Sequence, residues 1–144
     1  MEIRPLSPRY AVSPQISVEH LPAIAAAGIK TVICNRPDNE VESHQQTDAI
    51  RAAAKAAGLN YEVLELTQAT MTPQNVALQR ALIDGAEGPI LAYCRSGTRC
   101  SMVWALAHAG DLTPDEILAA TTAAGYQLSD MRPILEQLAR LRRD

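Results

Sequence analysis

Short apolar runs alternate along this chain with longer segments in which apolar residues recur every three to four positions. The first pattern predicts buried strands, and the second predicts amphipathic helices. Glycine or proline separates most of the segments, as is typical of helix ends and turns. The predicted strands are 10–12, 30–34, 60–66 and 90–93, and the predicted helices are 18–27, 45–57, 73–84, 102–109, 114–124 and a last one that begins at 129 or 130.

The alternation of strands and helices indicates an α/β fold with a mostly parallel central sheet and helices on both faces. Segments 30–34 and 90–93 are mainly apolar, as expected of strands that are covered on both faces. Segment 60–66 alternates between apolar and polar residues, which predicts a strand with one wetter face. Residues 1–9 contain two prolines and are expected to form an extended lead-in. We therefore predict one domain over residues 1–144.

Composition supports an ordinary folded domain, because 47% of the 144 residues are hydrophobic and 20% are charged. A net charge of -3 gives no general attraction to nucleic acid. Neither a membrane span nor a signal peptide is expected, and the three cysteines without paired spacing agree with a reducing, cytoplasmic location. The chain has no C-x-x-C or H-E-x-x-H motif, so we expect no metal and no other cofactor.

The candidate chemistry lies where the predicted strand 90–93 breaks into a small polar loop and then a helix. Such a loop directs several backbone N–H groups at one point, and the helix dipole adds positive potential there. The same field lowers the pKa of Cys94 and favours its reactive thiolate, while Arg99 adds a guanidinium. Cys94 and Arg99 are therefore the candidate catalytic residues. The predicted anion-binding residues are Arg95, Ser96, Gly97, Thr98 and Arg99.

Two other polar loops follow predicted strands. Ligands of parallel sheets bind at the carboxyl ends of the strands. The loops 35–40 and 67–71 are therefore expected at the same edge of the sheet as Cys94. Arg36 and Asp38 are the residues of interest in the first of these loops. A turn capped by Asp38 accounts for the same residues equally well.

Several motifs together resemble the phosphatase-like domain family of bacterial beta-lactamase-hydrolase-like proteins. They are the segments 12–16, 27–33, 35–38, 92–99 and 104–107. The resemblance implies the fold of the cysteine-dependent dual-specificity and tyrosine phosphatases. Some members of the family are fused to a metallo-hydrolase domain of the persulfide-dioxygenase type.

The active loop departs from that of the tyrosine phosphatases. They place five residues between nucleophile and arginine, whereas Cys94 and Arg99 enclose four, and Cys100 stands where their arginine would be. A four-residue interval resembles the loop of rhodanese sulfurtransferases. Tyr93 replaces the usual histidine, and the 66–71 loop lacks the usual general-acid aspartate. Asp38 is then the candidate acid, with Glu65 behind it.

Three hypotheses follow for the Cys94 loop. The first is hydrolysis of phosphomonoesters, either a small anionic substrate or a phosphorylated residue, with Asp38 protonating the leaving oxygen. The second is rhodanese-like transfer of sulfur through a persulfide on Cys94. The third is a non-enzymatic anion-binding or redox-sensing module in which Cys94 pairs with Cys100 or Cys34 on oxidation. Auxiliary roles are assigned to Arg36, Cys100 and Ser101.

Overall fold

A five-stranded sheet forms the middle layer of the protein, and the structure, a computed structural model, describes residues 2–143. The strands are β1 (Arg4–Pro5), β2 (Tyr10–Ser13), β3 (Thr31–Cys34), β4 (Asn60–Val63) and β5 (Ile90–Tyr93), and their spatial order is β1-β2-β5-β3-β4. β2, β5, β3 and β4 pair in parallel, and β1 pairs antiparallel with β2. The predicted α/β fold with a mostly parallel sheet is therefore confirmed.

Within residues 2–143, six α-helices cover the two faces of the sheet. They are α1 (Leu21–Ala26), α2 (Thr47–Ala56), α3 (Pro73–Gly85), α4 (Thr98–His108), α5 (Pro114–Ala123) and α6 (Arg132–Arg143). Ile24 of α1 and Ile50 of α2 pack in one core, against one face of the sheet. The other four helices pack in a second core on the opposite face, which contains Trp104 and Leu135. Helices thus lie on both faces, as the alternating pattern predicts.

α4 is the most deeply buried of these helices, because apolar residues surround it. Val103, Trp104 and Ala105 are each at most 1% exposed, and α4 packs against α3, α5 and α6. Trp104 therefore belongs to the core. The helix begins at Thr98 and not at 102, because Gly97 before it has φ +96°, a conformation that glycine adopts without steric cost. The polar loop is shorter than the sequence pattern indicates.

The amino-terminal segment also differs from the prediction. Part of the expected extended lead-in forms β1, whose Arg4 and Pro5 pair with Val12 and Ala11 of β2. Along residues 2–143, no helix is both long enough and apolar enough to cross a membrane.

The parallel arrangement brings the carboxyl ends of four strands to one edge of the sheet. β5 lies between β2 and β3, and its last residue, Tyr93, is level with Ser13 and Cys34. The polar loops that follow β3, β4 and β5 therefore meet at this edge, where ligands bind in parallel sheets.

Candidate active site

Cys94 follows β5 directly and lies at the bottom of the loop that leads into α4. The residue is 1% exposed, and its Sγ accepts a hydrogen bond from the backbone N–H of Gly97 at 3.1 Å. The loop is therefore curled around the sulfur, with a backbone donor directed at it. Gly97 is thus one of the predicted donors, and the anion-binding role of residues 95–99 stays a prediction.

The pKa of the Cys94 thiol lies at about 6, well below its ordinary value. The largest cause is a hydrogen bond from the Cys100 thiol, and the backbone N–H groups of Cys100, Gly97 and Arg99 act in the same direction. Burial opposes these donors but is outweighed. Burial also raises the pKa of Cys100 well above its ordinary value, so Cys100 remains a neutral donor. At neutral pH Cys94 is therefore mostly a thiolate, the reactive form of cysteine.

Arg99 is held by a carboxylate from the loop after β3. Its Nη1 and Nη2 donate to Oε2 and Oε1 of Glu40 at 3.0 and 2.8 Å, and Nη1 also donates to the Leu66 carbonyl at 2.8 Å. The Arg99 contact holds the pKa of Glu40 below its usual range. These bonds use three of the five N–H groups of the guanidinium. Within residues 2–143 the other two remain for an anion beside Arg99.

Arg36 supports the same carboxylate from the other side. Its Nε donates to Glu40 Oε1 at 3.2 Å, and its Nη1 donates to the Gln15 side chain at 3.2 Å. Arg36 thus reaches the site through Glu40, and its auxiliary role stays a prediction.

An open depression of about 450 Å³ lies above the loop. All three polar loops contribute to it, as their common edge predicts. Its lining residues are Glu40, Thr67, Gln68, Arg95, Ser96, Thr98 and Arg99. The side chains are polar or charged, with two arginines, so the depression suits a small anion.

Hydrogen bonds fix the shape of the loop itself. Ser101 donates to the Gly97 carbonyl through both its backbone N and its Oγ, at 3.0 and 2.8 Å. The hydroxyls of Ser96 and Thr98 bond each other at 2.9 Å. Tyr126, from the segment after α5, donates its hydroxyl to the Ser96 carbonyl at 2.8 Å. The loop is therefore tied to its own helix and to the carboxyl-terminal part of the chain.

Asp38 has partners that differ from those of a general acid. Its Oδ1 accepts the backbone N–H of Thr47 and its Oδ2 accepts the Thr47 hydroxyl, both at 2.8 Å. These bonds hold the start of α2, nine residues along the chain, which differs from the locally capped turn that the sequence also allows. Glu65 in turn accepts the backbone N–H of Asp38 at 3.2 Å. Neither carboxylate is among the residues that line the depression, and the acid role of Asp38 stays a prediction.

Comparison with known proteins gives the family of the chain. The sequence profile described as "Beta-lactamase hydrolase-like protein, phosphatase-like domain" matches residues 2–111. The chain belongs to this phosphatase-like family. A beta-lactamase hydrolase-like protein of Xylella fastidiosa (strain 9a5c) is 34% identical over 142 residues, which are 96% of this chain and 33% of that protein. The chain thus spans about a third of the length of this curated relative.

Solved structures agree with the family. A Neisseria meningitidis Z2491 protein, described as a candidate phosphatase, is 38% identical with a TM-score of 0.86, and the match covers 96% of this chain and 99% of that one. The catalytic domain of the PP-IP phosphatase SIW14 from S. cerevisiae, in complex with citrate, has a TM-score of 0.69 at 12% identity, over 98% of this chain and 90% of that one. The structural neighbours are cysteine-based phosphatases, and the comparisons give no support to the rhodanese-like or non-enzymatic alternatives.

Three residues at this candidate site are not among the site residues predicted from the sequence. Glu40 follows Arg36 by four residues, and this spacing favours an ion pair. The spacing could therefore have identified Glu40 from the sequence. Gln68 lies on an expected edge loop but has no distinctive motif. Tyr126 reaches the loop only because the last helices fold back against α4, and no local pattern indicates this. Across residues 2–143, no three His, Cys, Asp or Glu side chains come close enough together to hold a metal ion.

Proposed function

We propose that this protein is a cysteine-dependent phosphatase that hydrolyses phosphomonoesters at the Cys94 loop. The observation that carries the proposal is the Cys94 sulfur under the Gly97 N–H at 3.1 Å, with its pKa lowered to about 6. A thiolate in this position is a nucleophile beneath an anion-binding depression. Membership of a phosphatase-like family and the fold of cysteine-based phosphatases support the same conclusion.

The reaction proceeds in two steps through a phosphocysteine. The Cys94 thiolate forms a bond to phosphorus, the ester P–O bond breaks, and the leaving oxygen departs with the electron pair and takes a proton from Asp38 or from water. Loop N–H groups and Arg99 stabilise the charge on the three equatorial oxygens. A water molecule then attacks phosphorus, the P–S bond breaks, and phosphate leaves with Cys94 again a thiolate.

If Asp38 is the general acid, it protonates the leaving oxygen as the P–O bond breaks. Its carboxylate is bonded to Thr47 at the start of α2, and Glu40 is an ionised partner of Arg99 with a lowered pKa. A general acid must reach the leaving oxygen in its protonated form. We therefore expect the enzyme to favour leaving groups that depart as stable anions, such as aryl oxides, over simple alkoxides.

The experiment that tests this function follows both the product and the intermediate. Phosphate release from aryl phosphates is measured with the purified protein, and rapid acid quench with peptide mass spectrometry looks for phosphate on Cys94. Turnover with phosphocysteine supports the proposal. If aryl phosphates are not hydrolysed, and thiosulfate instead adds the mass of one sulfur to Cys94 that cyanide then removes, the protein is a sulfurtransferase.

A further inference from the structure

One peptide unit of the active loop is engaged at both ends. The Gly97 N–H donates to Cys94 Sγ at 3.1 Å, and the Ser96 carbonyl accepts the Tyr126 hydroxyl at 2.8 Å. The Ser96 carbonyl and the Gly97 N–H belong to the same planar unit, so they point in opposite directions and rotate together. A contact that fixes the carbonyl therefore also fixes the direction of the N–H.

We propose that Tyr126 is a positioning residue of this site, whose hydroxyl holds the Ser96–Gly97 peptide in the orientation that directs the Gly97 N–H at Cys94. The Tyr126 side chain acts through this peptide and does not touch the sulfur in any step. The inference concerns the nucleophile alone, so it holds for any reaction that uses the Cys94 thiolate.

The peptide needs such a support because glycine itself does not fix its direction. Rotation of the Ser96–Gly97 unit changes φ of Gly97, and glycine populates positive and negative φ about equally well. The reversed unit would turn a carbonyl oxygen towards Cys94. This arrangement exists at Cys34, whose Sγ donates to the Arg36 carbonyl at 3.3 Å.

Tyr126 is well placed to be this support because it is itself held firmly. It is 6% exposed, and its backbone N–H donates to the Thr121 carbonyl of α5 at 2.8 Å. The Arg4 guanidinium lies over its ring, 5.3 Å from the centroid. The ring also fills the space beside Gly97, where a Cβ atom would overlap the Tyr126 hydroxyl. The hydroxyl therefore has one defined position over the loop.

The electrostatic surroundings allow a clean test. The ionisable groups that face Cys94 are Cys100, Arg99, Tyr10 and Tyr126. Burial raises the pKa of Tyr126 above its ordinary value, so its hydroxyl is neutral at the pH at which Cys94 titrates. Tyr126→Phe thus removes a donor without changing a charge. It also leaves the aromatic ring packed beside Gly97.

The decisive measurement is the alkylation rate of Cys94 in Tyr126→Phe as a function of pH, followed by peptide mass spectrometry. We expect the pKa of Cys94 to rise by about half to one unit, because the peptide loses the hydrogen bond that aligns its N–H with the sulfur. The rate at pH 6 then falls ~2- to 6-fold, while the rate well above the new pKa is retained. The acid limb of kcat/KM should move by the same amount, with its plateau little changed.

Tyr61→Phe is the matched control, because Tyr61 shares a 2.6 Å hydrogen bond with Tyr93 in the core on the other face of the sheet. It should leave the pKa of Cys94 unchanged. The proposal is overturned if folded Tyr126→Phe keeps the parent pKa, or if Tyr61→Phe shifts it equally.

A measurement on the parent protein decides the matter if Tyr126→Phe does not fold. The Gly97 amide resonance and the Tyr126 Cζ resonance should both titrate with Cys94 near pH 6, since the Ser96–Gly97 peptide joins the hydroxyl to the sulfur. A Tyr126 Cζ resonance that does not change over this pH range contradicts the proposal.

Discussion

β3 and β5 lie side by side in the sheet, and each delivers a buried cysteine to the same edge. Cys34 is 2% exposed and Cys94 is 1% exposed. Burial raises the pKa of the Cys34 thiol, whereas the pKa of Cys94 falls to about 6. Two cysteines of nearly equal burial in neighbouring positions thus have opposite tendencies to ionise.

The hydrogen-bond donors around each sulfur, weighed against burial, explain the difference. Cys34 Sγ donates to the Arg36 carbonyl at 3.3 Å, and burial outweighs the neighbouring hydrogen bonds that lower the pKa of this thiol. Cys94 Sγ instead accepts from the Gly97 N–H, and further donors from Cys100 and Arg99 surround it. Burial alone makes a cysteine inert, and convergent donors make it reactive.

The two loops consequently have different roles at one site. The loop after β5 carries Cys94, the proposed nucleophile, and the loop after β3 contacts Arg99 through Glu40. The same β3 loop also holds α2 in place through Asp38. We therefore expect the loop after β5 to take part in the chemistry and the loop after β3 to support it. The following predictions test this separation of roles.

The largest expected effect comes from Cys94→Ser compared with Cys34→Ser. Loss of the nucleophile should lower kcat for aryl phosphates by ~10⁴-fold or more, while phosphate binding persists because the loop donors and Arg99 remain. Cys34→Ser should keep most activity, since serine can donate to the same carbonyl. Steady-state kinetics and phosphate titration calorimetry give both quantities. Comparable losses in the two variants would contradict the separation.

A second prediction compares the two thiols in the unmodified protein. At pH 7 Cys94 is mostly ionised, whereas Cys34, with its raised pKa, is almost entirely a thiol. Iodoacetamide should therefore modify Cys94 ~100-fold faster than Cys34. The Cys94 rate should rise through pH 6 and level off above it, because its lowered pKa sets the midpoint. Since both residues are similarly buried, equal rates would mean that ionisation does not distinguish them.

Much of the fold was predictable because strand and helix periods are local. The strands of the sheet interior, the buried α4 and the common edge of the three loops all follow from apolar patterning and parallel topology. β1 was missed because its pairing depends on a partner strand and not on its own two residues. The start of α4 was misplaced because it depends on φ of Gly97, which residue type permits but does not determine.

The site was predictable in its residue types and less so in its geometry. Residue spacing alone brings Cys94, after β5, close to Arg99 in the first turn of α4. It does not reveal which backbone group faces each sulfur, and these partners differ between Cys94 and Cys34. Tyr126 was beyond prediction because it reaches Ser96 through tertiary packing.

A third prediction concerns the contact between the two loops. Arg99→Lys keeps the positive charge but loses the fork that bonds both oxygens of Glu40 and faces the depression. We expect kcat/KM to fall ~10- to 100-fold, since lysine cannot reproduce bidentate geometry. Arg80→Lys is the control, because Arg80 pairs with Asp84 and Asp111 away from the site. Equal rates for Arg99→Lys and the parent would show that charge alone suffices.

The smallest expected effect is that of Asp38→Asn, which tests whether the β3 loop supports the structure or takes part in the chemistry. Asparagine retains one oxygen acceptor but loses the negative charge and the second acceptor at the start of α2, where both oxygens now bond Thr47. The free energy of unfolding should fall by ~1 kcal/mol, measured by urea denaturation. Thr47→Ala should cause a similar loss. The hydrolysis of aryl and alkyl phosphates should then slow equally and slightly in both variants. A selective loss of ~10²-fold on alkyl phosphates in Asp38→Asn alone would instead make Asp38 the general acid, and the β3 loop would then take part in the chemistry.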